Sequence, residues 1–183
     1  MIYSFIISYI QYLILFIHLY NVILIFLQHI DDALFGIRKR QHEYQDIIPQ
    51  DAIILDEKFT QLVIINFNSN PGIIDEEISQ YILGNHPHFW GKKWKGSKKL
   101  YMPLNIKGHH WVAVKVDLQA LELIVYDCSI GATLPKEMDT LMLPIQTMIP
   151  TMLRVSSQFE DIEQCLHKPW TYTRLLSVPQ NSR

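Results

Sequence analysis

The sequence predicts an α+β domain behind an uncharged, apolar head. Three observations predict it. Strand-like runs separated by turn residues cluster in the middle of the chain, helix-like stretches lie on either side of them, and no Asp, Glu, Lys or Arg precedes Asp31. Strands gathered in one stretch with helices before and after it indicate one sheet flanked by helices. At 183 residues the chain has the length of one domain. A hydrophobic content of 49% suffices for a core of ordinary size. The 16 Lys and Arg against 18 Asp and Glu leave a net charge of -2, which excludes a wholly basic nucleic-acid-binding chain and an acidic, disordered one. Two cysteines, Cys128 and Cys165, exclude a disulfide scaffold and lack zinc-finger spacing.

Residues 1–28 form a hydrophobic segment, and 29–183 form the domain. From Tyr12 to Leu27 only His18 and Asn21 interrupt an apolar run. A bilayer core of about 30 Å needs about 20 apolar helical residues, so Ile2 to Ile30 is long enough to span. Arg38-Lys39-Arg40 would then keep the body on the cytosolic side. With no basic start and no small-residue cleavage site, the segment does not read as a cleaved signal peptide. Two other readings compete with a membrane helix. Gln11, His18, Asn21 and Gln28 are costly in lipid, and the Ile, Phe and Tyr content suits packed core. An artefact of a misplaced gene start is the other. Localisation follows the choice: single-pass membrane if the helix through residues 2–30 is real, intracellular otherwise.

Along the body, Asp31 to Tyr44 reads as a helix with Asp31 or Asp32 as its cap and Leu34, Ile37 and Arg38 at helical spacing. Phe59 to Phe67 suits helix or strand. Asn68 to Gly72 is a turn, and Ile74 to Leu83 a short helix. Leu100 to Ile106 is a strand ending in the turn Lys107-Gly108. His110 to Asp117 alternates Val112, Val114 and Val116 with Trp111, Ala113 and Lys115, the period of a strand. Leu121 to Asp127 is a third strand. Pro135 opens a helix that Pro144 and Pro150 should break or kink. Trp170 to Leu176 is a final strand.

The second and third strands carry the chemistry. A hairpin centred between Leu118 and Gln119 sets His110 opposite Asp127. Directly opposed residues share a face, with Cβ atoms about 4.5–5.5 Å apart. A carboxylate beside an imidazole fixes its tautomer and stabilises its protonated form, the base-plus-orienter half of a catalytic triad. A structural ion pair is the competing reading.

The run Tyr101-Met-Pro-Leu-Asn-Ile106, then His110-Trp111-Val-Ala-Val, then Ile124-Val-Tyr-Asp127 closely resembles the catalytic domain of the ubiquitin-like proteases, cysteine proteases that release SUMO-type modifiers. Asp127-Cys128 is similar to the plant, transposon-associated form. Asp31-Asp-Ala-Leu34 resembles the family's opening helix, and Ser177-Val-Pro-Gln-Asn181 the run before its nucleophile. The resemblance covers residues 29–183. It implies a central mixed or antiparallel sheet flanked by helices, His110 as general base and Asp127 as orienter. It also implies Trp111 as one wall of a slot for the modifier's Gly-Gly tail, with His29 where the family places a second Trp. Gln180 or Asn181 would supply the oxyanion donor, worth about 10²–10³ in rate. A ubiquitin-like modifier is the implied partner, and the nucleus is a usual place of work.

In the family the Pro-Gln run leads within a few residues to the nucleophilic Cys, whereas this sequence stops at Arg183. The expectation is a domain incomplete at its C-terminus, with no nucleophile among the 183 residues and no peptidase activity of its own. Cys128 follows Asp127 on one strand, should face the other way, and reads as a small core residue. Cys165 sits in Glu160-Asp-Ile-Glu-Gln-Cys165, where acidic neighbours disfavour a thiolate. The alternative to a peptidase is a non-catalytic binding module or a transposon-derived relic.

Other signals are weaker. Five lysines around Trp94, from Lys92 to Lys99, read as a solvated loop rather than a phosphate-binding patch with a stacking ring, so no nucleic-acid partner is expected. His86, His88, His109 and His110 match no metal spacing, and no metal or other cofactor is expected. Gly-rich phosphate loops and Gly-x-Ser-x-Gly turns do not occur in the sequence.

Overall fold

The computed structural model describes residues 29–85, 91–108, 110–155 and 168–180. Helix α1 covers residues 29–43. Then come β1 (Ala52–Ile54), α2 (Glu57–Ser69), α3 (Glu76–Leu83), β2 (Lys99–Ile106), β3 (His110–Asp117), β4 (Glu122–Tyr126), α4 (Pro135–Val155) and β5 (Tyr172–Leu175). The strands form one sheet in the order β1-β2-β3-β4-β5. Its inner pairs are antiparallel and its outer pairs, β1 with β2 and β4 with β5, are parallel. This is the mixed sheet flanked by helices that the sequence implied. The expected membrane span falls almost wholly outside the described residues, among which no helix is long and apolar enough to cross a membrane.

Alternation along β3 decides where the core sits. Val112, Val114 and Val116 are buried with Leu123 and Val125 of β4. They pack into one cluster with Phe59 and Val63 of α2. From α4 the same cluster receives Met138, Met142, Ile145, Ile149 and Met152, a spacing of three and four that makes one helical stripe. The ambiguous run Phe59 to Phe67 is therefore helix, started by Asp56, whose carboxylate accepts from the Phe59 N–H at 3.0 Å. Trp94 is 0% exposed and stands edge-to-face with Phe59 at 5.7 Å. Its ring is thus unavailable for stacking a base.

Three local expectations are corrected. Asp31 lies inside α1, and its carboxylate accepts from the Glu57 N–H at the start of α2 instead of capping its own helix. Pro144 and Pro150 do not end α4, which continues helical through both. A proline leaves the carbonyl four residues earlier without its helical donor. For Pro150 that carbonyl belongs to Gln146, and it accepts from the Trp170 N–H at 3.0 Å. The Gln146 amide in turn donates to the Trp170 carbonyl at 2.7 Å. Pro150 thus creates a docking point for the segment that enters β5.

The third correction concerns register. Ala113 pairs with Tyr126 and Asp117 with Glu122, so the β3–β4 hairpin is centred between Gln119 and Ala120. The turn itself explains the difference. The Asp117 carboxylate accepts from the N–H groups of Gln119 and Ala120, and Leu121 adopts a left-handed φ of 57°. Leu118 stays buried, its N–H bonded to the Lys98 carbonyl. His110 and Asp127 are therefore diagonal rather than opposite. A shift of one residue would reverse every side chain, whereas this shift of the partner by two keeps both on the core face.

Candidate active site

Turn chemistry places His110. After β2, Lys107 and Gly108 take left-handed φ values of 56° and 80°, and the Asn105 side chain accepts from the Gly108 N–H at 2.7 Å. That tight reversal makes His110 the first residue of β3. Asp127 follows the last residue of β4, where the chain turns away into the 3-10 turn Ile130–Ala132. Both side chains project to the face covered by α2 and α4.

There His110 Nε2 lies 2.9 Å from Asp127 Oδ1. Asp127 is 0% exposed, and the His110 side chain 11%. The carboxylate has two further partners. Oδ1 accepts from the Ser129 N–H at 2.8 Å, and Oδ2 accepts from Arg174 Nε at 3.0 Å and from Nη2. Burial by itself raises the Asp127 carboxyl. The Ser129 N–H, the Arg174 guanidinium and the His110 hydrogen bond outweigh burial and hold it below its ordinary value. An ionised carboxylate only accepts, so His110 Nε2 is the donor. Nδ1 is then the basic ring nitrogen, the one able to take a proton from a thiol.

The remaining site residues fall into separate places. Trp111 projects to the other face of the sheet. It lines an open, mostly apolar groove of about 360 Å³ with Ile30 and Leu34 of α1, Tyr101, Tyr126 and Cys128. His29 is exposed on α1, next to Ile30 of that groove. Cys128 is half-buried there, across the sheet from His110. The opposite facing was expected, but its reading as a core residue is corrected, because α2 and α4 do not cover this side. Gln180 stands beside the histidine–aspartate pair. Its amide donates to the carbonyls of Asp127 and Val178, each at 2.9 Å, and its Oε1 accepts from the Ile130 N–H at 3.0 Å. Asn181, Cys165, His86, His88 and His109 lie outside the described residues.

Sequence reasoning missed Arg174. It lies on β5, 47 positions from the carboxylate it clamps, and no local pattern connects them. The one signal was a lone cation in an otherwise uncharged strand.

Comparison with known proteins bears on this arrangement. The family model of the Ulp1 protease family, C-terminal catalytic domain, matches residues 27–183. No curated protein matches the chain. Among solved structures, a de-sumoylating protease is 18% identical with a TM-score of 0.52, over 84% of this chain and 54% of its own. The C-terminal Ulp1 protease domain in complex with Smt3, the yeast ortholog of SUMO, is 10% identical with a TM-score of 0.52, over 84% and 56%. The SUMO protease Ulp1 with its catalytic cysteine oxidised to a sulfinic acid is 11% identical with a TM-score of 0.51, over 83% and 57%. At these identities the likeness is one of fold, and this chain spans little more than half the length of each. With the family model covering most of the sequence, the chain belongs to the Ulp1 protease family.

Proposed function

We propose that this chain carries the base-and-orienter part of a cysteine-type peptidase or isopeptidase acting on SUMO-like modifiers. The observation that carries the reading is the contact between His110 Nε2 and the buried Asp127 carboxylate. His110 Nδ1 would take the proton of an attacking thiol and return it to the leaving amine. Asp127 fixes the tautomer and stabilises the imidazolium. Trp111 forms one wall of the path for a Gly-Gly tail, with His29 at the groove's edge. Both Gln180 amide hydrogens are engaged with main-chain carbonyls, which favours Asn181 as the oxyanion donor. The modifier class comes from the SUMO protease and the Smt3 complex that share this fold.

Cys128 faces away from His110, and the acidic neighbours of Cys165 disfavour a thiolate. The 183-residue chain is therefore expected to leave a SUMO-fusion substrate intact while binding the modifier. Cleavage by the purified chain, lost on Cys128→Ala or Cys165→Ala, would overturn the assignment of the nucleophile. Absence of binding, in a chain with a cooperative thermal transition, would overturn the modifier.

A binding module without chemistry is the second reading. The groove favours it, because Trp111 and Tyr126 present apolar surface whatever happens at His110. Trp111→Ala should then weaken modifier binding while His110→Ala leaves it unchanged. The peptidase reading expects some loss of binding from both.

A further inference from the structure

The Asp127 carboxylate has two oxygens, and they are divided between two tasks. Oδ1 serves the Ser129 N–H and His110. Oδ2 is taken by Nε and Nη2 of Arg174. The guanidinium is itself held. Nη1 donates to the Thr133 carbonyl at 3.0 Å and Nη2 to the Ile130 carbonyl at 2.8 Å. Its side chain is 11% exposed. Arg174 therefore bridges β5, the 3-10 turn and the carboxylate with a planar fork that a lysine cannot reproduce.

We infer that Arg174 is a positioning residue for the His110–Asp127 pair. By occupying Oδ2 from a fixed direction it stops the carboxylate from rotating and leaves Oδ1 as the acceptor for His110 Nε2. It acts on the imidazole only through Asp127. Other charged side chains at this end of the sheet have partners of their own. Lys107, in the β2–β3 turn, pairs with Glu137 of α4. Asp139 of α4 accepts from the Tyr172 hydroxyl of β5 at 2.7 Å. Within the described residues Arg174 is thus the cation that neutralises Asp127. The segment that enters β5 is also tied to α4 by the Gln146–Trp170 bonds beside Pro150.

The inference rests on the reading of His110 and Asp127 as base and orienter, but its test needs no substrate. In the 183-residue chain, proton NMR should show a downfield His110 Nε2–H that exchanges slowly with water. It is assigned by its loss in His110→Ala and in Asp127→Asn. Arg174→Gln is expected to lose this resonance while the amide signals of β3 and β4 stay dispersed. A folded Arg174→Gln chain that keeps the resonance unchanged would overturn the inference and leave the peptidase reading untouched. If Arg174→Gln does not fold, Arg174→Lys decides. It preserves the charge but not the fork, so the resonance should move upfield and exchange faster. A signal identical to that of the unaltered chain would reduce Arg174 to a structural cation. Failure of the peptidase reading would show separately, in modifier binding and cleavage.

Discussion

Two carboxylates in this molecule are built to nearly the same plan. Asp56 and Asp127 are both buried. Each accepts from a main-chain N–H, that of Phe59 or that of Ser129. Each has an arginine, Arg38 at 3.9 Å or Arg174 in a two-point contact. They differ in the third partner. Asp56 accepts from the Tyr81 hydroxyl at 2.7 Å, and Asp127 meets an imidazole. The Tyr81 phenol is pushed far above its ordinary value, first by burial and then by its bond to Asp56, so it keeps its proton throughout the physiological range. The same frame around a carboxylate thus yields a helix cap and interelement tie in one place and a held imidazole in the other. What distinguishes the two is the chemistry of the third partner and the tightness of the arginine.

The comparison can be broken at the tighter site first. Asp127→Ala leaves Arg174 buried without its counter-charge. Urea denaturation should show a loss of about 3–5 kcal/mol, the usual cost of stripping one partner from a buried pair. A loss below about 1 kcal/mol would mean that water enters the site and the pairing carries little weight. Acid provides the second way. The folded carboxyl of Asp127 is held below its unfolded value of about 3.9. Its contribution is therefore complete above that value and disappears as pH falls through the folded one. Between pH 7 and pH 3 the unaltered chain should lose more stability than Asp127→Asn; parallel curves for the two would contradict the sign.

The looser site should respond less. Asp56→Ala removes an N-cap and a partner of Tyr81, for an expected loss of about 1–3 kcal/mol. Tyr81→Phe, which spares the cap, should cost about 1 kcal/mol. If Asp56→Ala proved more damaging than Asp127→Ala, the ranking of the two sites by arginine geometry would be wrong.

Legibility in the sequence divides along the same line. The period of two in β3 and the turn at Lys107-Gly108 are plain in the sequence, and the face shared by His110 and Asp127 follows from them. The register does not, because the Asp117 side chain shapes the turn and apolar alternation does not record it. The continuity of α4 was hidden for a related reason. A rule about prolines within one helix cannot see that Trp170 supplies a donor to the Gln146 carbonyl from elsewhere in the chain. Arg174 lies beyond any local rule, since its partners Asp127, Ile130 and Thr133 are 47, 44 and 41 positions away. Local periodicity reveals faces and strands; contacts between distant segments decide which polar groups on a shared face meet.

Everything proposed for catalysis depends on His110 and Asp127 acting as a coupled pair. A double-mutant cycle of His110→Ala and Asp127→Asn, read by urea denaturation of the 183-residue chain, measures that coupling directly. Non-additivity of about 1–3 kcal/mol is expected for two side chains in one buried hydrogen bond. Effects that add to within about 0.5 kcal/mol would place the two groups out of contact and contradict the pairing.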